Sequence, residues 1–98
     1  MQKEACAAYI MTNEGKTVLY TGVTTNLIKR VWEHRQGFVA GFSRKYRCRF
    51  LAYYELHDEW ESAVRREKQI KAWKREWKER LIADKNPDWK DLYAGILG

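Results

Sequence analysis

Cysteine is scarce in this chain, and proline scarcer still. Cys6 and Cys48 are the only two cysteines among 98 residues, too few and too far apart for a disulfide framework or a zinc site. That usage fits a reduced, cytoplasmic protein. No segment approaches the roughly 20 apolar residues of a membrane span, so a membrane partner is not expected. No positively charged start leads into an apolar run, so no leader is expected either. Repeats, low-complexity tracts and linkers are missing as well. Residues 1–98 are therefore expected to form a single domain, with room for one core and no second module.

Acidic residues are missing locally. Between Asn26 and Tyr54 there are seven basic residues and one acid, Glu33. A second block, Arg65 to Arg80, holds eight basic residues against three acids. The net charge is +6, so the rest of the chain is acidic. Two basic blocks on an otherwise acidic chain point to a polyanion-facing surface, although solvated helix faces would also account for them. Arg44, Lys45 and Arg47 in the first block, and Lys71 in the second, are the candidates for phosphate contacts.

What the chain does have is regular patterning. Ala7 to Thr12 is a small apolar strand that ends at Asn13-Glu14-Gly15-Lys16, a linker suited to a hairpin into a second strand over Val18–Val23. Thr24-Thr25-Asn26 offers N-caps for a helix starting near Leu27, with Leu27, Ile28, Val31 and Trp32 as its apolar stripe and Gly37 as its stop. Residues 38–49 form a Gly-containing basic loop or short helical turn, and Phe50 to Glu55 an aromatic-rich third strand. Asp58 and Glu61 resemble a capping box for a long helix that runs to about Ala83 and breaks or bends near Trp73-Lys74. Asn86-Pro87 ends it, and Trp89, Leu92 and Tyr93 form a tail that packs back on the body. The order is strand, strand, helix, strand, helix, helix. It predicts an α+β domain with a small three-stranded sheet, antiparallel or mixed, flanked by helices.

Glu67 falls on the helix face that carries Ala63, Val64 and Ile70, which should be buried. A buried carboxylate needs a partner, either a cation such as Arg66 or Lys71 or a metal ion. Arg30 and His34 are one turn apart and can reach a common point. A guanidinium suits the non-bridging oxygens of a phosphate, and an imidazole can relay a proton. Tyr9 and Tyr20 fit strand positions for packing alone, because a phenol of normal pKa is a poor base at neutral pH.

Taken together, Tyr9, Tyr20-Thr21-Gly22, Arg30-x-x-x-His34, Glu67 and Asn86 resemble the GIY-YIG nuclease domain. The resemblance extends from about Ala7 to Leu92 and is closest in kind to the small stand-alone bacterial members. It implies a catalytic set of Tyr9, Tyr20, Arg30, His34, Glu67 and Asn86. Arg30 would steady the phosphate, Glu67 would hold one divalent cation (Mg2+ or Mn2+), and Asn86 would support the site. The first motif here is Ala-Ala-Tyr and the second Tyr-Thr-Gly, and Val23 stands where repair-type relatives often carry a lysine. The implied activity is metal-dependent hydrolysis of DNA, branched or damaged DNA included, with low sequence specificity and with a protein partner as one source of targeting. Two other classes fit the same residues. One is a catalytically silent nucleic-acid-binding module. The other is a small interaction domain docking through its basic helix with Trp60, Trp73 and Trp77.

Overall fold

The computed structural model describes residues 6–98, and the expectation about a leader at the first five positions lies outside this range. The chain runs β1 (Cys6–Thr12), β2 (Leu19–Thr24), α1 (Leu27–Arg35), α2 (Phe42–Lys45), β3 (Phe50–His57), α3 (Trp60–Ala72), α4 (Arg75–Lys85) and α5 (Tyr93–Ile96). The sheet order is β2-β1-β3, and both pairings are antiparallel. That settles the open choice between antiparallel and mixed. Among the described residues no helix is long and apolar enough to cross a membrane.

The hairpin is organised by Asn13 more than by Gly15. The Asn13 side-chain oxygen accepts from the backbone N–H of Thr17 at 2.9 Å and of Val18 at 3.0 Å. Lys16 takes the left-handed conformation, φ 59°, that a glycine would adopt more cheaply. The register then sets Tyr9 opposite Gly22 and Met11 opposite Tyr20. Alternation of side chains puts these residues on one face of the sheet.

That face holds Ala7, Tyr9, Met11, Leu27, Val31, Cys48 and Leu51 as one core. The opposite face holds Ile10, Ala52, Tyr53, Ile70 and Ile82. A bulge between Ile10 and Met11 in the β1–β3 pairing skips Ala52, which lets Leu51 join the first core while Ala52 and Tyr53 join the second.

Helix α1 begins as its sequence predicts. The Asn26 side chain caps it by accepting from Lys29 N–H at 3.2 Å. Gly37, φ 76°, stops it, with Phe38 N–H bonded to the Glu33 carbonyl and Gly37 N–H to that of His34. Its stripe differs from expectation. Leu27, Val31 and His34 are buried, whereas Trp32 lies outside against Phe38, ring centroids 5.5 Å apart. The expected capping box at Asp58 is not formed. The N-cap of α3 is Glu59, without a side-chain cap bond.

The long helix does break at Trp73-Lys74, where both residues are extended. The turn brings Ile82 of α4 into the core that holds Ile70 of α3. Arg75 anchors α4 to the hairpin through the carbonyls of Thr17 at 2.7 Å and Lys16 at 3.2 Å. The tail packs back as predicted. Leu92 N–H bonds the Leu51 carbonyl at 2.9 Å, and the Arg35 guanidinium lies 4.5 Å over the Tyr93 ring.

Candidate active site

The first core opens at one end into a polar cluster built from three elements. Tyr9 from β1, Tyr20 from β2 and His34 from α1 stand in mutual aromatic contact. Ring centroids are 6.5 Å apart for Tyr9–Tyr20, 5.5 Å for Tyr9–His34 and 5.1 Å for Tyr20–His34. The Tyr9 hydroxyl is 2.8 Å from His34 Nε2, and His34 Nδ1 is 2.6 Å from Ser43 Oγ on α2. Tyr9, His34 and Ser43 are all buried. Three side chains from three elements thus form one hydrogen-bonded line.

Gly22 explains how the Tyr9 ring fits. A Cβ built on Gly22 would lie 2.5 Å from the Tyr9 hydroxyl oxygen and from the ring carbon that bears it. The glycine is required because the first motif tyrosine crosses the second motif's strand at that point.

Electrostatics ties the charged residues to the same phenol. Burial pushes the Tyr9 pKa well above its usual value. Tyr20 adds to this, Arg30 opposes it, and Glu67 and Glu33 raise it further. Burial, followed by the charge of Arg30, lowers His34 from 6.5 to about 4, so the imidazole is neutral at pH 7. Tyr9 is then a protonated phenol and His34 a neutral ring, with one nitrogen donating and the other accepting.

Arg30 is half-exposed and holds Glu33 only loosely, N to O 3.5 Å. Glu67 is buried on α3 as its helix position predicts, and its Oε2 receives the Lys71 ammonium at 3.1 Å. Lys71, expected to track a phosphate backbone, is therefore engaged with Glu67. Arg66, the other candidate partner, goes elsewhere. It joins Tyr53, Glu55, His57 and Ser62 in a separate polar network that clips α3 to β3. Burial raises the Glu55 pKa there, but bonds from Tyr53, His57 and Arg66 outweigh it and hold the carboxylate ionised.

Asn86 stands apart from the line. Its amide donates to the carbonyls of Ala52 at 3.0 Å and Lys90 at 2.8 Å, and its oxygen accepts from Lys90 N–H at 3.0 Å. These bonds fix the end of α4 on β3, away from the Tyr9–His34–Ser43 line. Arg44, Lys45 and Arg47 are exposed on and just after α2.

Ser43 is the member that sequence reasoning missed. It lies nine residues beyond His34, within a segment read only as basic, and no helical or strand spacing links the two. The side chains present suit a hard cation that keeps most of its water. Glu67 offers one carboxylate, whose charge is felt at the Tyr9 phenol, and among the described residues no cluster of three or more His, Cys, Asp or Glu is available to enclose a metal.

Residues 5–80 match the model of the GIY-YIG catalytic domain. A UPF0213 protein of Natronomonas pharaonis is 41% identical over 76 residues, covering 78% of this chain and 88% of that protein. A UPF0213 protein of Staphylococcus haemolyticus is 36% identical, covering 68% and 82%. The solution NMR structure of a UPF0213 protein from Bacillus halodurans has the same fold, with a TM-score of 0.55 at 27% identity over 89% of this chain and 92% of that one. Sheet, helices and matched residues lead to one assignment: the chain belongs to the GIY-YIG family, a family of nuclease domains.

Proposed function

We propose that the chain is a divalent-metal-dependent endonuclease that hydrolyses a DNA phosphodiester bond with low sequence specificity. The observation that carries this reading is the buried Tyr9–His34–Ser43 line, set beside two charges, Arg30 and Glu67, that both act on the Tyr9 phenol.

Phosphodiester hydrolysis requires a positioned water, a route for its proton, and positive charge on the phosphate. The loosely paired Arg30 guanidinium presents planar paired donors to the non-bridging oxygens. Ser43 accepts from His34 Nδ1–H, which leaves Nε2 to accept the Tyr9 proton. The Tyr9 oxygen is then free to accept from the attacking water. As the water oxygen bonds to phosphorus, the bond from phosphorus to one ester oxygen breaks; the water's proton passes to Tyr9, the Tyr9 proton to His34 Nε2, and the departing oxygen takes a proton from solvent. Glu67 would hold the cation, which supplies positive charge beside the scissile phosphate. Arg44, Lys45 and Arg47 would contact the DNA backbone and carry no sequence information, which accounts for the low specificity.

One observation favours a second reading, a DNA-binding module with a silent site. The Lys71 ammonium already neutralises Glu67. Supercoiled plasmid decides between them. Nicking with Mg2+ or Mn2+ that is lost in Glu67→Gln supports the nuclease. Salt-sensitive binding without nicking under either metal supports the silent module.

A further inference from the structure

A row of aromatic rings leads outward from Tyr20. Phe42 faces it at an interplanar angle of 28°, centroids 6.3 Å apart, and Tyr46 follows 4.7 Å from Phe42. Phe42 is 48% exposed and Tyr46 41%. They sit four residues apart and so project from the same side of α2 and its end. Single exposed aromatics are ordinary, but two in contact with each other and with Tyr20 form a patch.

The placement of this patch is fixed. Ser43, between the two rings in sequence, is buried against His34, and its carbonyl accepts from Cys48 N–H at 2.9 Å. Cys48 is itself fully buried in the first core. The rings therefore hold a set position relative to the Tyr9–His34 pair.

Charge narrows what can lie there. Arg44 and Lys45 flank the rings within α2, Arg47 follows, and no acidic residue occurs between His34 and Tyr54. The Lys45 ammonium lies 5.3 Å over the Tyr46 ring. A ligand that covers this surface must offer flat apolar faces and negative charges at close, alternating intervals. An unpaired DNA strand does so, because its bases expose π-faces and its phosphates run beside them. A continuous duplex keeps those faces inside its own stack and presents phosphates alone.

We propose that Phe42 and Tyr46 are a stacking platform for unpaired DNA bases next to the scissile phosphate. The preferred substrate is then a strand that is unpaired at the cut, such as a flap, a frayed end or a single strand. This proposal rests on the nuclease reading for the scissile phosphate, while the stacking itself is a binding property and can be measured without cleavage.

The test uses the full chain carrying Glu67→Gln, without divalent metal, titrated against a fluorescent oligothymidine and a duplex of equal length. The expected result is single-strand binding about tenfold or more tighter than duplex binding. Phe42→Ala with Tyr46→Ala should weaken the single-strand complex by roughly 10- to 100-fold, following the usual worth of base–aromatic stacking, and the duplex complex by less than about threefold. Phe42→Trp with Tyr46→Phe should restore single-strand binding. Trp60→Ala, which removes an equally exposed aromatic on α3, should change neither. Circular dichroism confirms that each variant is folded. Equal losses on both DNA forms, no loss on either, or a preference for duplex would overturn the platform. So would a dimer in sedimentation that dissociates on Phe42→Ala, which would assign the patch to a second copy of the chain. Plasmid nicking by the unsubstituted chain tests the nuclease reading separately, so either idea can fall while the other stands.

Discussion

Tyr9 and Gly22 face each other across the β1–β2 ladder, and the tyrosine hydroxyl lies where a side chain at Gly22 would begin, 2.5 Å from a Cβ placed there. Gly22→Ala should displace the phenol from His34. Overpacking of this kind costs about 1–3 kcal/mol, a fall in melting temperature of roughly 4–8 °C per kcal/mol in a domain of this size. Plasmid nicking should fall further, by about 100-fold, because the reacting groups lose their alignment. A Gly22→Ala chain that nicks at the normal rate would show that the position of Tyr9 is not critical.

Ser43→Ala should release His34 Nδ1, whereas Ser43→Thr keeps a hydroxyl in reach. Leaving one buried ring nitrogen without a partner costs about 1–3 kcal/mol. Nitrogen-15 NMR of the imidazole should show Nδ1 protonated in the unsubstituted chain and in Ser43→Thr, with a changed tautomer balance in Ser43→Ala. Nicking should drop in Ser43→Ala and recover in Ser43→Thr. An identical imidazole spectrum in all three chains would remove Ser43 from the proton line.

His34 should make the fold acid-sensitive. Its pKa is lowered from 6.5 to about 4, so the unfolded chain binds the proton more readily than the folded one. The associated stability is fully present above pH 6.5 and is lost as pH falls toward 4, up to about 3 kcal/mol. Melting temperature should therefore fall between pH 6.5 and 4.5, with a shallower slope in His34→Asn. Proton NMR should place the His34 titration below pH 5, and a midpoint near 6.5 would refute this account.

Glu67→Gln should abolish metal-dependent nicking and leave DNA binding unchanged or slightly tighter, because one negative charge leaves a phosphate site. The fold should tolerate the change. The ammonium that Glu67 pairs with belongs to Lys71, which is 57% exposed, so the freed cation stays hydrated and the cost should stay within about 1 kcal/mol. A variant that melts many degrees early yet cuts normally would make Glu67 scaffold.

Asn86→Ala should do the reverse. It removes three hydrogen bonds to the backbone of Ala52 and Lys90, two of whose acceptors lie against the second core or its closing turn. A loss of about 2 kcal/mol or more is expected, visible as early melting, with nicking per folded molecule nearly unchanged. Nicking abolished at full stability would place Asn86 among the reacting groups instead.

Much of this protein follows from local pattern. The Asn26 cap and the Gly37 stop of α1, the hairpin, the third strand and the break at Trp73-Lys74 depend on residues within a turn or two of one another. Period and capping chemistry therefore specify them. The burial of Glu67 was likewise a matter of helical phase. Local pattern misjudged Trp32, because an apolar residue at the edge of a stripe has no fixed side until a neighbour such as Phe38 claims it. It misjudged Asp58 as well, because α3 starts one residue later, with Glu59 at its N-cap.

Tertiary structure decided the rest. Which basic residue pairs with Glu67 depended on where β3 placed Glu55, which drew Arg66 away and left Lys71. That Gly22 must lack a side chain followed from the β1–β2 register, which sets the Tyr9 hydroxyl on it. Ser43 reached His34 only because Cys48 and the first core draw α2 down beside α1. These are contacts between groups far apart in sequence, fixed by packing against two cores. No periodicity along the chain encodes them.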